Sequence, residues 1–374
     1  MYFGRRDWSV VQKVAVSLIV CGVLAMVTAS CGINKDKPAA VVVVPAPDET
    51  VTHEFRPPVT NKPQLPEYVW PLTGTKAPSA STHRPFMVMV NNAPQARPQS
   101  GLSYADVLFE ILAEGEITRL VAVYQSKHWD GPIGPVRSIR PYYINLGKMM
   151  DAVPVHAGGS PDAYTELSAQ KLEHMDEITN AGPFFWRDAN RKAPHNLYTS
   201  LDNLETGVRK MGIRELSQNL QAQATFMAET TAEAHENRLT RINVTFLLNN
   251  YVVSYQYDPE SRLYKRFIND SPHLDISNNV QLTAANVVVI EAEHIILDDE
   301  GRRDVGLVGS GKGYLFQRDK VQSVRWERSV EQDRFHLFQE NRELGLYPGT
   351  THVLVVPNKP TFEGHIEIIA HEKN

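Results

Sequence analysis

The chain has 374 residues, of which 42% are hydrophobic, and its formal net charge at pH 7 is −5. A chain of this length can bury a sizeable core without covalent cross-links. Its mild acidity and the lack of a polybasic block argue against nucleic acid as a partner. With two cysteines in the whole chain, a disulfide-rich scaffold is also excluded.

Residues 1–30 have the pattern of an export signal. Arg5, Arg6 and Lys13 form a cationic start, and an apolar core over residues 14–27 follows. This core is shorter than the roughly 20 residues that a membrane-spanning helix needs, so a signal peptide fits better than an anchor helix. Loss of this segment, with its three cations and one anion, changes the net charge from −5 to −7.

The end of this signal resembles the lipobox of bacterial lipoproteins. Small residues at positions 28–30 lead into Cys31 and Gly32, although Thr28 stands where that family prefers leucine. The resemblance implies an acylated Cys31 that anchors the protein to the membrane on its extracytoplasmic face. The alternative is an ordinary signal peptide that is cut near residue 30. Because the other cysteine, Cys21, lies inside the signal, the mature lipoprotein would have no disulfide.

Residues 31–78 form a predicted tether. Prolines recur through this stretch beside charged and polar residues. Such a composition favours extended, weakly structured backbone that can hold a domain away from a membrane.

The next segment, residues 79–212, is predicted to be an α/β or α+β domain. Residues 86–90 are short, apolar and bounded by Pro85 and two asparagines, which indicates a buried strand. Residues 107–113 and 117–124 flank a Glu-Gly-Glu turn and predict a β-hairpin, with a helix over residues 103–114 as the alternative. Residues 142–150, 161–173 and 201–211 favour helices, and the last two have serine N-caps.

An acid and arginine cluster is predicted around this hairpin. In an alternating strand, Asp106, Glu110 and Glu114 share one face, and Arg119 falls just across the turn. A loop with two Gly-Pro breaks then supplies two further candidate ligand-binding arginines, Arg137 and Arg140. Buried charges need partners, so these groups form either an internal ion-pair network or a site for a charged ligand.

A glycine loop is the second candidate part of the site. A short apolar strand ends at His156, and Gly158, Gly159 and Ser160 lead into a helix that begins with Pro161. Backbone N–H groups at such a helix start attract anions. The alternatives are that the loop is only a tight connection and that His156 is a core histidine.

Arg187 and His195 complete the candidate ligand-binding residues. They lie in an aromatic and polar stretch beside Trp186, which either stacks a sugar ring or plugs the core. A serine nucleophile at Ser160 with His156 or His195 as base lacks the G-x-S-x-G pattern. No metal-ligand spacing occurs, so we expect neither a metal nor a cofactor, and the catalytic residues are unknown.

From residue 213 onward, the sequence pattern predicts different secondary structure from that of the first domain. Residues 213–238 are rich in Ala, Gln and Glu and predict a helical connection. Residues 239–374 alternate as strands, which predicts a mostly-β C-terminal domain. The glycine-rich residues 309–313 lack the order of a phosphate-binding loop and are expected to form a turn between strands.

Several motifs together resemble the YerB-like bacterial lipoproteins. They are RPFMVMVNN, ARPQSGLSYAD, EGEITR, IGPVRSIRP, HAGGS and APHNLY, and the resemblance extends over nearly all of residues 70–357. It implies an envelope lipoprotein of two paired domains of unknown function, with no established reaction.

The expected function is that of a membrane-tethered extracytoplasmic lipoprotein. It would bind or scaffold an anionic envelope component or a partner protein. The alternative is a cell-envelope hydrolase or transferase that uses His156 or His195 with a carboxylate as acid and base.

Overall fold

The computed structural model describes residues 68–218, 224–228 and 239–370. These residues all fall within one compact unit of the chain, residues 60–374. The predicted signal segment, Cys31 and the tether up to residue 67 lie outside the described residues.

The N-terminal region alternates strands and helices. Its strands are β1 (Phe86–Asn91), β2 (Val107–Glu114), β3 (Ile117–Tyr124), β4 (Val153–His156), β5 (Met175–Asp176), β6 (Trp186–Arg187) and β7 (Leu197–Tyr198). Its helices are α1 (Pro141–Met150), α2 (Pro161–Ala169) and α3 (Leu201–Met211). Ser160 and Ser200 cap α2 and α3 by accepting hydrogen bonds from backbone N–H groups, which confirms both predicted N-caps.

The C-terminal region is almost entirely strand, as predicted. Its longer strands are β8 (Leu239–Thr245), β9 (Val252–Asp258), β10 (Leu263–Ile268), β15 (Asn286–Ala292), β18 (Gly309–Gln317), β19 (Lys320–Arg328), β20 (His336–Gln339), β22 (Thr351–Pro357) and β23 (Ile366–Ala370). Short strands fill the remainder: β11 (Ser271–Pro272), β12 (Leu274–Asp275), β13 (Val280–Gln281), β14 (Thr283–Ala284), β16 (His294–Ile296), β17 (Arg303–Val305) and β21 (Arg342–Glu343).

One sheet of 11 strands runs through both regions. Its order is β21-β20-β19-β18-β15-β22-β2-β3-β1-β4-β5. The junction is the parallel pair of β2 and β22, whose register sets Val107 opposite Thr351 and Ile111 opposite Val355. The two regions are therefore joined by backbone hydrogen bonds as well as by side-chain packing.

Both faces of this sheet are covered, so its central strands are apolar on both sides. Phe109 and Ile111 of β2 pack into the core beneath α1, whereas Leu108 packs into a second core that contains residues of α3. A third core lies between the C-terminal half of the sheet and a smaller sheet of order β11-β10-β9-β8-β23.

Two sequence predictions differ from the structure. Residues 309–313 form the first half of β18 rather than a turn, because their backbone pairs with β19 from Gly309 opposite Arg328 onward. In the predicted helical connection, the described residues 213–218 and 224–228 contain no helical turn. Leu216 and Phe226 instead make isolated β-bridges with His83 and Leu346, so pairing with the domain overrides helix propensity there.

A buried ion pair links the two regions at the centre of the molecule. Arg266 of β10 and Glu110 of β2 are each 1% exposed, and their Nη2 and Oε2 atoms lie 2.5 Å apart. Glu110 Oε1 also accepts hydrogen bonds from Tyr251 at 2.6 Å and Thr118 at 2.7 Å. The carboxylate is thus fully occupied by partners from both regions.

The guanidinium of Arg266 is surrounded in the same way. Its Nε donates to Nδ1 of His273 at 3.0 Å, and its Nη1 donates to the hydroxyl of Tyr255 at 2.5 Å. Nε2 of His273 bonds Oε1 of Gln99 at 2.9 Å. Burial, together with the charge of Arg266, lowers the pKa of His273 well below its usual value. His273 therefore stays neutral and acts as an acceptor for the arginine.

Replacement of Arg266 by methionine should destabilise the protein by about 3–5 kcal/mol, because the Glu110 carboxylate would remain buried without its cation. Chemical denaturation of the purified protein in detergent measures this change. The matched control is Lys312→Met, which removes a cation from an exposed pair with Glu363 at 2.8 Å. The control should leave the denaturation midpoint nearly unchanged, and an equal loss in both variants would contradict the structural role of the buried pair.

Candidate functional site

Two arginines pair with one carboxylate at the turn of the β2–β3 hairpin. The register of this hairpin shifts between Leu112 and Glu114, which brings Glu114 to the arginines rather than to the Glu110 network. Nη2 of Arg119 lies 2.9 Å from Oε2 of Glu114, and Arg140 pairs with the other carboxylate oxygen. The sequence pattern places Glu110 and Glu114 on one face of an alternating strand, but the alternation of β2 is interrupted before Glu114, and the two carboxylates have different partners.

Arg119 and Arg140 are both deeply buried. Their side chains are 3% and 9% exposed, respectively. Arg119 also donates to the carbonyl of Ser138 at 2.8 Å, and Arg140 donates to the carbonyl of Ile139 at 2.6 Å. Burial lowers the pKa of Arg140. The two guanidinium groups therefore hold the chain that leads into α1 against the hairpin.

Arg137 is different, because its charge has no counterpart. No hydrogen bond or ion pair of its side chain occurs among the described residues, and the side chain is half-buried. Burial and the nearby charge of Arg119 both lower the pKa of Arg137. We call Glu114, Arg119, Arg137 and Arg140 the arginine cluster.

The arginine cluster also contains unused donors. The Nε atoms of Arg119, Arg137 and Arg140 are all buried and have no hydrogen-bond partner. Unpaired buried donors are rare in proteins and carry a free-energy cost. Because all three are donors, an acceptor such as an anion would satisfy them.

The glycine loop lies directly beside this cluster. The N–H of Ala157 donates to the carbonyl of Arg137 at 3.0 Å, and the N–H of Ile139 donates to the carbonyl of Gly158 at 3.0 Å. Gly158 has a φ of 77°, a left-handed conformation that favours glycine. The structure therefore brings the predicted loop, including Gly159 and Ser160, next to Arg137 and Arg140.

A buried carboxylate, Asp176, fixes the shape of this loop. It accepts hydrogen bonds from the N–H of Gly158 and from the hydroxyls of Tyr164 and Thr179, each at 2.8 Å. Since the N–H of Gly158 is already used by Asp176, it is not available to an anion. Asp176 was missed in the sequence because a lone aspartate in a short strand carries no recognisable signal.

His156 is a structural residue of the same loop. It is completely buried, its Nδ1 bonds the carbonyl of Gly158 at 2.9 Å, and its Nε2 bonds Nδ1 of His174 at 3.0 Å. Burial lowers the pKa of His156 to about 4, although Asp176 acts in the opposite direction. His156 is therefore neutral at pH 7 and does not reach the surface of the site.

The aromatic and polar stretch forms the other neighbour of Arg137. Nδ2 of Asn91 donates to Nδ1 of His195 at 2.8 Å. Burial, followed by the charges of Arg137 and Arg191, lowers the pKa of His195, which places His195 in the electrostatic field of the cluster. Trp186 on β6 is 39% exposed.

Arg187 connects this stretch to the glycine loop. Its Nη2 lies 3.2 Å from Oε1 of Glu177, whose backbone N–H donates to the carbonyl of His156. Arg187 is thus paired, and it borders the site rather than offering an unpaired charge.

Two predicted residues lie away from the cluster. Glu110 belongs to the buried network with Arg266. Asp106 accepts hydrogen bonds from the backbone N–H groups of Gln125 and Ser126 at 2.6 and 2.7 Å, and it fixes the chain after β3. Their contacts separate both carboxylates from Arg137.

Within residues 68–218, 224–228 and 239–370, no group of three His, Cys, Asp or Glu side chains is placed to hold a metal ion. The described helices also include none that is long and apolar enough to cross a membrane.

Comparison with known proteins identifies the family. The family model for the N-terminal domain of a "Protein of unknown function (DUF3048)" matches residues 72–214, and the model for the C-terminal domain of that family matches residues 242–353. The chain belongs to the DUF3048 family.

The YerB protein of Bacillus subtilis matches this chain both in sequence and in structure. The chain is 36% identical over 291 residues to the protein of strain 168 named "Putative lipoprotein YerB", an alignment that covers 77% of this chain and 86% of that protein. The crystal structure of YerB from the same species matches with a TM-score of 0.72 at 33% identity, and the match covers 80% of this chain and 99% of that one. The YerB-like resemblance and the two-part fold predicted from the sequence are therefore confirmed.

Proposed function

We propose that this member of the DUF3048 family is a membrane-tethered extracytoplasmic lipoprotein that binds an anionic component of the cell envelope through its arginine cluster. The name of the Bacillus subtilis relative supports a lipoprotein, and Cys31 is the residue that would carry the lipid. The predicted tether, residues 31–78, would then keep the domain near the membrane.

The observation that carries the binding proposal is the unpaired charge of Arg137. The buried network around Arg266 shows that this fold can satisfy a central arginine with its own side chains. At the arginine cluster it leaves one guanidinium, that of Arg137, without a partner among the described residues, beside two deeply buried ones. Such an arrangement is characteristic of a site that is completed by an external anion.

The same contacts favour binding over acid and base catalysis. Both ring nitrogens of His156 are engaged inside the protein, so this histidine does not meet a ligand. His195 has Nδ1 occupied by Asn91 and stands among cations rather than beside a carboxylate that would orient it as a base.

The lipid anchor can be tested by replacement of Cys31 with serine. In cells labelled with a radioactive or clickable fatty acid, the unmodified protein should carry the label and fractionate with membranes. The Cys31→Ser protein should lose the label, because the acylated sulfur is absent. The matched control, Cys21→Ser, should keep both properties. Labelling that persists in Cys31→Ser would place the lipid on another residue, and an unmodified protein that takes up no label would rule the lipid out.

Replacement of Arg137 by glutamine should weaken binding of anionic envelope material by about tenfold or more, since hydrogen bonds to charged groups contribute about 1.5–3 kcal/mol each. Native mass spectrometry of the purified protein, mixed with a fractionated envelope extract, measures the retained mass. Thermal unfolding should be unchanged or shifted slightly upward, because an unpaired buried charge is removed.

The matched control is Arg342→Gln at an exposed position of β21. This variant should bind like the unmodified protein. If Arg137→Gln retains the same envelope material with the same affinity, the arginine cluster is a structural feature and the proposed binding function is wrong.

A further inference from the structure

Resting on the proposed function, we infer that the group bound at the arginine cluster is a phosphate monoester in its dianionic form. Phosphate monoesters occur both as soluble metabolites and as lipid headgroups, and both present the same terminal oxygens. The inference concerns that shared chemistry.

The first argument is charge. Arg119, Arg137 and Arg140 bring three positive charges, and Glu114 neutralises one of them. Two positive charges remain at a place where two of the guanidinium groups are at least nine-tenths buried. Uncompensated buried charge is costly, so a ligand with two negative charges balances the cluster whereas a carboxylate leaves one cation unmatched.

The second argument is the kind of hydrogen-bonding group that is missing. The three unpaired Nε atoms are donors, and the remaining N–H groups of Arg137 are donors as well. A dianionic phosphate monoester presents three strong acceptor oxygens and no donor. A phosphate monoester therefore offers three acceptor oxygens to these donors, whereas a carboxylate offers two.

The third argument comes from the surroundings of the cluster. The carboxylates nearest to the glycine loop and its neighbours are already engaged: Asp176 by the loop and Glu177 by Arg187. The oxygens of Asp176 are used by the Gly158 N–H and by the hydroxyls of Tyr164 and Thr179, and Glu177 pairs with Arg187, so neither carboxylate takes the place of the ligand at the arginines. The charged and titratable groups that border the site are Glu114, Tyr142, Tyr143, His156, His174, Asp176, Glu177, Arg187, Arg191, His195, Asp298 and Arg302.

The test uses the full-length protein in detergent and three small probes: methyl phosphate, dimethyl phosphate and sulfate. Methyl phosphate loses its second negative charge below about pH 6, whereas dimethyl phosphate has one charge and sulfate has two at both pH values used. Isothermal titration calorimetry at pH 7.5 and pH 5.0 measures each affinity. Because the charge of sulfate is the same at both pH values, a change in its affinity reports protonation of the bordering histidines. The change in the affinity for methyl phosphate is therefore compared with the change for sulfate.

The inference predicts that methyl phosphate binds more tightly than dimethyl phosphate at pH 7.5. Relative to sulfate, its affinity should fall about tenfold at pH 5.0, because only about a tenth of it remains dianionic there. Arg137→Gln should remove the preference for methyl phosphate, and Arg137→Lys, which keeps the charge without the fork, should retain part of it. Arg342→Gln should behave like the unmodified protein.

Equal affinities for methyl phosphate and dimethyl phosphate at pH 7.5 would overturn the inference. The inference would also be overturned if the affinities for methyl phosphate and for sulfate changed by the same factor between pH 7.5 and pH 5.0. If Arg137→Gln still loses anionic envelope material in that case, the proposed function stands and the ligand carries a different anion. If Arg137→Gln affects neither the envelope material nor any probe, both proposals fail together.

Vesicles then separate the two sources of the phosphate. Phosphatidylcholine vesicles that contain phosphatidic acid present a phosphate monoester on a lipid, and vesicles that contain phosphatidylglycerol present a diester. Displacement of methyl phosphate by the first kind of vesicle alone supports the inference and identifies a lipid headgroup. Displacement by both kinds of vesicle would overturn the preference for a monoester.

Discussion

The buried pair of Glu110 and Arg266 is the interaction on which the rest of the structure depends. Glu110 lies on β2, the strand that joins the two regions through its parallel pairing with β22, and Arg266 reaches it from the smaller sheet. Two charges that are 1% exposed can coexist only because hydroxyl, imidazole and amide groups from both regions occupy their remaining positions. This polar contact therefore links the two family domains at the centre of the molecule, in addition to the pairing of β2 with β22.

The same strand supplies the carboxylate of the candidate site. Glu110 and Glu114 are four residues apart, but the register shift before Glu114 sends them to different partners. Glu110 belongs to a network in which Arg266 has acceptors for its hydrogen bonds. Glu114 belongs to the arginine cluster, in which the side chain of Arg137 has no acceptor among the described residues. Because the charges of the first group are all paired and Arg137 in the second is not paired within the described part of the chain, we assign a structural role to the Glu110–Arg266 network and a ligand-binding role to the arginine cluster.

Much of this arrangement follows from local sequence. The apolar runs at 86–90 and 107–124 and the serine-capped helices are set by short-range patterns, and the structure contains them. The nearness of Arg137 to the glycine loop also follows from chain order. What the sequence does not show is which carboxylate meets which arginine. Arg266 is 156 residues from Glu110, and the shift that redirects Glu114 depends on the pairing of β2 with β3. Both are products of tertiary structure, which the short-range patterns of a single sequence do not reveal.

The most direct test of the account is the location of a bound anion. Crystals of the protein soaked with selenate, a dianion whose selenium scatters anomalously, would give a peak in the anomalous difference map for each bound ion. The account predicts a peak within hydrogen-bond distance of the Arg137 guanidinium and beside Arg119. A map with peaks only at other surfaces, and an Arg137 side chain that pairs with a carboxylate of the protein itself, would contradict it.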